Sequence, residues 1–174
     1  MAEKDFTLTI PSRLVKRARE LGIDVVSVIL DALVKELRLD PKDEAEVYLE
    51  LAERYLEEAK EYIVKGDPVQ ASEKMYKAVE ESLKALALIY RTPEYEKALR
   101  EGRWWTQLLG KTARRLSKIL GEPRIIDTWS RAYDVHVWGF HEAKYSVDDI
   151  REDLECIEWL LEYTKRRIRE VLKH

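Results

Sequence analysis

The sequence predicts an all-α, up-and-down helical bundle carrying a small N-terminal strand–helix–helix appendage. Three observations lead there. From Lys42 onward, apolar residues recur at three- and four-residue steps, the period of helices with one buried stripe. "KGDP", Lys65–Pro68, reads as a helix stop followed at once by a helix start. Residues 5–10 instead alternate apolar and polar with a period of two. The expected division is an appendage over 1–40 and a bundle over 41–174.

In "DFTLTIP", Phe6, Leu8 and Ile10 alternate with Asp5, Thr7 and Thr9, the pattern of a half-buried strand that Pro11 ends. Ser12 can cap a short helix to about Leu21, and Gly22 supplies its C-terminal stop. Asp24 caps a second helix, "VVSVILDALVKELRL", which ends before Asp40-Pro41. One strand and two helices are too little to bury a core alone. This piece must pack on the larger domain or pair with a second copy.

"TLTIP", then "ARELGID", then an apolar helix resembles the ribbon-helix-helix dimerisation and DNA-binding fold. The resemblance implies strands that pair across a dimer axis and present outward side chains to the DNA major groove. Here the outward positions are Asp5, Thr7 and Thr9, poor readers of phosphates and base edges. A homodimer is therefore expected before duplex-DNA recognition.

In the bundle, Ala45, Leu49, Ala52, Leu56, Ala59 and Ile63 make a seam for one partner helix, with Tyr48, Tyr55 and Tyr62 beside it. The tyrosines read as packing at a helix interface rather than as a base-stacking stripe. Gly66 ends that helix, Asp67 caps the next and Pro68 takes its first position. Ala71, Met75, Ala78, Val79, Leu83, Leu86 and Ile89 spread over more than one stripe, so this helix is the expected buried centre. A short helix over "EYEKALREG" and another over "RWWTQLLGKTARRLSKIL" follow. A helix from about Pro123 to Val137 is expected to break at Gly139. Ser146 as cap, with Asp149 in the capping-box position, opens one long last helix.

Composition narrows the function. Of 174 residues 37% are charged, yet the net charge is only −3, which excludes a general nucleic-acid sink and leaves local patches. The single cysteine, Cys156, permits no disulfide framework and no multi-cysteine zinc site. No metal and no cofactor is expected. The N-terminal residues lack a hydrophobic signal core, and nothing approaches about 18 uninterrupted apolar residues, so a cytoplasmic protein without membrane contact is expected.

The residues able to do chemistry gather in "WSRAYDVHVWGFHEAKYS", residues 129–146. Arg131 and His136 satisfy R-x-x-x-x-H, as do Arg169 and His174 at the far end of the chain. Context favours the first pair, which stands where two helices meet at an aromatic-lined break. A helix C-terminus favours protonated imidazole, which suits a general acid. His141 beside Glu142 is a further candidate pair. Trp138 and Phe140 can pack or stack on a base. Lys111, Arg114, Arg115 and Lys118 form one basic helix face, and Lys165, Arg166, Arg167 and Arg169 another.

With "LELAERYLEEAKEYIVKGDPVQASEKMYKAVEESLKALA", "RWW" and "RAYDVHVWGFHE", the chain over 42–170 resembles the HEPN superfamily, and within it the archaeal PaREP branch. That resemblance implies a helical bundle that dimerises with the R-x-x-x-x-H helices facing each other. It implies RNA or nucleotide binding, and metal-independent cleavage in which the ribose 2′-hydroxyl attacks and a 2′,3′-cyclic phosphate remains. His136 would be the acid/base and Arg131 would stabilise charge on the phosphorane. Arg114, Arg115, Lys118 and Trp138 are the expected nucleic-acid contacts. Ala132 stands where active members carry a polar residue after the arginine. Two other readings remain: a non-catalytic interaction protein, such as a toxin–antitoxin-like partner of a nucleotidyltransferase, and a ribbon-helix-helix regulator.

Overall fold

The computed structural model describes residues 6–173 and divides the chain into two units, one ending at Arg38 and one beginning at Leu39. In the first unit, α1 (Ser12–Glu20) and α2 (Val25–Leu37) follow a segment, residues 6–10, without regular structure. Among the described residues there is no strand. This corrects the expected strand of the appendage, and Asp5 lies outside the described residues. A five-residue strand needs a neighbouring ladder for its N–H and C=O groups, and residues 6–173 offer none. Phe6 is accordingly 90% exposed.

The turn between α1 and α2 follows expectation. Gly22 takes a left-handed conformation at φ 65°, while Ile23 N–H reaches back to the Ala18 carbonyl at 2.8 Å. The Asp24 carboxylate accepts from Val26 and Ser27 N–H at 3.0 and 3.2 Å. At α1 the expected cap does not form: Pro11 holds the cap position and Ser12 is already helical. Neither helix has a buried residue.

The second unit is helical throughout. α3 (Pro41–Lys65) and α4 (Pro68–Ile89) form an antiparallel hairpin. Gly66 at φ 74° ends α3, and Asp67 accepts from Gln70 N–H at 3.0 Å to start α4. α5 (Pro93–Glu101) and α6 (Thr106–Leu120) come next, then α7 (Arg124–Asp134). α7 runs directly into a π-helical segment, Val135–His141. The last helix is not continuous, as the sequence suggested. α8 (Val147–Ile150), with the expected Ser146–Asp149 capping box, is separated by a 3₁₀ turn, Arg151–Asp153, from α9 (Leu154–Leu172).

α4 is the centre, as its several apolar stripes required. It meets α3, α6, α7, α9 and the π segment, and Met75, Val79, Leu83 and Leu86 are wholly buried. Tyr48 and Tyr55 are buried too, so the tyrosine stripe of α3 packs. Tyr48 and Tyr95 both donate to the Glu44 carboxylate, at 3.2 and 2.8 Å.

α4 also buries charge. Lys84, 1% exposed, lies between the Glu80 and Glu81 carboxylates at 3.0 and 3.1 Å, and Lys77 reaches Glu80 at 3.3 Å. Burial pushes the Glu80 carboxyl up, but Lys84 and Lys77 outweigh it and hold it below the usual carboxylate range. Among the described residues no helix is long and apolar enough to cross a membrane.

Candidate functional site

The π segment explains why the chemistry gathers at 129–146. In an α-helix, residues five apart point ~140° away from each other. A π turn, with its wider i to i+5 hydrogen-bonded ring, closes much of that angle. His136 and His141 are five apart, and their Nε2 atoms meet at 3.0 Å. One imidazole therefore donates and the other accepts, the direction depending on the tautomer.

Gly139 makes this turn fit, but not in the expected way. It does not break the helix; it lies inside the π segment and is fully packed. A Cβ there would overlap the Ser72 hydroxyl and stand 2.8 Å from the Ser72 Cβ on α4. The chain breaks later, where Ala143 takes φ 50°. Glu142 N–H to the Val137 carbonyl at 2.9 Å and Lys144 N–H to the Trp138 carbonyl at 2.7 Å close the exit.

The two imidazoles differ in setting. His136 lies on the ring of Tyr76 from α4, centroids 3.9 Å apart and planes 18° from parallel, with Phe140 stacked at 5.6 Å. Burial pushes its pKa down to about 4; the neighbouring His141 and then Lys77 add to the fall, and Glu80 opposes it. At neutral pH His136 is therefore uncharged. This corrects the expectation of a protonated imidazole at a helix C-terminus: loss of solvent outweighs the dipole. Its Nδ1 is buried without a hydrogen-bond partner, and so is the Ser72 hydroxyl. Each such group costs about 1–3 kcal/mol. His141 is exposed.

Arg131 and His136 face different neighbours. The Arg131 guanidinium bonds the Asp153 carboxylate in the 3₁₀ turn at 2.7 Å and stays 57% exposed, whereas His136 turns to Tyr76 and His141. Ala132 between them is wholly buried, so its side chain faces the core and not the solvent. His141 is given to His136 rather than to Glu142, which is exposed. Trp138 is 46% exposed and available for stacking. His174, of the second R-x-x-x-x-H match, lies outside the described residues.

The basic faces divide. On α6, Arg115 is committed to the Glu94 carboxylate at 3.0 and 2.7 Å, and Arg114 donates to the Gly110 carbonyl at 3.2 Å. Lys111 and Lys118 are exposed beside them. On α9, Lys165 pairs with Glu53 and Glu162, and Arg167 with Tyr90 and Glu170.

Sequence reasoning missed Tyr76, Asp153 and the imidazole pair itself. The signal for the pair was present as two histidines five apart with glycine between them. It becomes legible only once the turn is read as π.

The fold and site together define a class: an all-helical bundle whose central helix floors an imidazole pair on a π turn. The archaeal PaREP1/PaREP8 family matches residues 47–161. The chain belongs to that family. A crystal structure of a Sulfolobus solfataricus protein is similar at 33% identity and TM-score 0.61, over 67% of this chain and 94% of that one. A solution structure of the same target is similar at 33% identity and TM-score 0.60, over 71% of this chain and 92% of that one. No curated protein matches the chain.

Proposed function

We propose that the chain is a HEPN-like RNA-binding protein that cleaves RNA without a metal at His136, His141 and Arg131. The observation that carries this reading is the 3.0 Å contact between the two imidazole Nε2 atoms at the surface end of a buried aromatic floor. The exposed His141, its Nε2 held by the neutral His136, takes the proton of a ribose 2′-hydroxyl at Nδ1 as that oxygen forms a bond to phosphorus. It gives the proton to the departing 5′-oxygen as the phosphorus–5′-oxygen bond breaks, so the base ends where it began. Arg131, exposed at the neighbouring turn, leaves the Asp153 carboxylate to stabilise the phosphorane charge, and a 2′,3′-cyclic phosphate remains. Lys111, Arg114 and Lys118 on α6 hold backbone phosphates, and Trp138 stacks on a base.

The test is cleavage of a labelled single-stranded RNA in EDTA. His141→Ala, at an exposed position, is expected to lower the rate about 10²–10⁴-fold with the melting temperature unchanged. RNA binding without cleavage in the wild type leaves a binding protein; undiminished cleavage by both His136→Ala and His141→Ala removes the site altogether.

A second reading concerns the partner. α1 and α2 bury no residue while Leu14, Leu21, Val26, Val28, Leu33 and Leu37 are each at least half exposed. Apolar exposure on that scale marks an interaction surface, and a second copy of this chain is the proposed occupant. Sedimentation should give a dimer that Leu33→Glu converts to monomer; a monomeric wild type discards the idea.

A further inference from the structure

Two observations at the π turn bear on a second chemistry. The first is the convergence of two imidazole nitrogens on one point. The second is the orphaned Nδ1 of His136, buried while Nε2 is turned toward His141. The fold leaves one ring nitrogen unpartnered and aims the other at its neighbour. Pairs of imidazoles held this way bind cations as well as protons.

We infer that His136 and His141 form a bidentate site for a borderline divalent cation of the Zn²⁺, Ni²⁺ or Cu²⁺ class. Metal–imidazole bonds are about 2.0–2.1 Å long, so nitrogens 3.0 Å apart subtend roughly 95° at a shared cation. That is close to the cis angle of square-planar and octahedral sites. A tetrahedral ion needs the nitrogens only a few tenths of an ångström further apart. His141 is exposed and can supply that movement, while His136 is fixed by Tyr76 on one side and Phe140 on the other. A ligand must be neutral, and burial already keeps His136 so at neutral pH. Imidazole nitrogen suits these metals in preference to Mg²⁺ or Ca²⁺.

Among the described residues no group of three or more His, Cys, Asp and Glu is placed to hold a metal. The site therefore offers two protein ligands and leaves the rest to water or substrate. The cation is an exchangeable ligand, not a resident structural metal. Binding displaces the proton shared by the imidazoles, so it opposes the acid–base role. That consequence rests on the ribonuclease reading, whereas the binding itself does not.

The experiment uses tag-free, EDTA-stripped full-length protein titrated with CuCl₂, NiCl₂ or ZnCl₂ alone, followed calorimetrically and, for Cu²⁺, by electron paramagnetic resonance. One saturable equivalent per chain is expected, with nitrogen hyperfine structure from two imidazoles. His141→Ala should weaken binding about tenfold or more at an unchanged melting temperature, while His174→Ala leaves it as it was. His136→Ala should match His141→Ala in affinity. No saturable binding at a several-fold excess of metal overturns the inference, and so does equal affinity of wild type and His141→Ala. Cleavage in EDTA is scored separately, so loss of metal binding and loss of nuclease activity are distinguishable results.

Discussion

α2 and α4 are both well-capped helices rich in apolar residues, yet they reach opposite ends of the burial scale. α2 has an aspartate cap with two hydrogen bonds, and valines, isoleucine and leucines across its surface, and buries nothing. α4 buries sixteen residues, among them Lys77, Glu80, Glu81 and Lys84. Capping and propensity make a helix; they do not give it a place. Burial requires neighbours on several sides, and of these two helices α4 has them. The contrast also shows what burial permits, since charges on α4 survive by pairing with one another within the same helix.

The largest expected effect breaks this contrast directly. Leu86→Ala removes a wholly buried side chain from α4 and should cost about 2–5 kcal/mol in denaturant unfolding. Leu33→Ala on α2, where the side chain is 52% exposed, should stay within about 0.5 kcal/mol for an isolated chain. A comparable loss at Leu33 in a dimer would show that a second copy covers it, and the loss should then depend on protein concentration.

Next in size is Gly139→Ala. The added methyl meets the Ser72 hydroxyl and Cβ, so overpacking of about 1–3 kcal/mol is expected. Ser72→Gly in the same chain should recover part of it in a double-mutant cycle. Full additivity would mean that the π segment does not rest on Ser72.

The most gradual effect is acid loss of stability. Glu80 and Glu94 are held below the usual carboxylate range: burial raises each, but Lys84 and Lys77, or Arg115, outweigh it. Their folded pKa values lie below the unfolded ones, so their contribution is complete above the ordinary carboxylate range and fades as pH falls through it. His136, with its pKa pushed down to about 4, acts in the same direction over a higher window, from its ordinary pKa of about 6.5 downward. Denaturant unfolding in EDTA at stepped pH should show stability declining from about pH 6.5, with Glu94→Gln reducing the later part of the decline.

Much of the bundle was legible in advance because its signals are local. Lys65–Pro68 has one reading, since Gly66 needs φ > 0 and Asp67 with Pro68 begins a helix. The seam of α3 and the buried centre at α4 follow from spacing alone. The appendage misled because alternation at Phe6, Leu8 and Ile10 describes a face, and a face becomes a strand only beside another strand. Gly139 misled for a related reason. Glycine stops helices and also permits close approach, and only Ser72, 67 positions earlier, tells which. The long last helix broke at Arg151–Asp153, where Asp153 receives Arg131. The imidazole pair lies within the eighteen residues singled out, but the ring beneath it, Tyr76, belongs to another helix and left no trace in their spacing.

The π segment has a consequence for comparing relatives. In an ordinary helical turn, imidazoles four apart would share a face; here the same partnership is written five apart. A homologue that lost one residue between positions 136 and 141 while relaxing to an α-helix would keep its histidines together, although its alignment would show a gap through the site. One that kept the length but straightened the helix would lose the pairing with every residue intact. Phase around the helix axis, rather than residue identity column by column, is the quantity to track across this family.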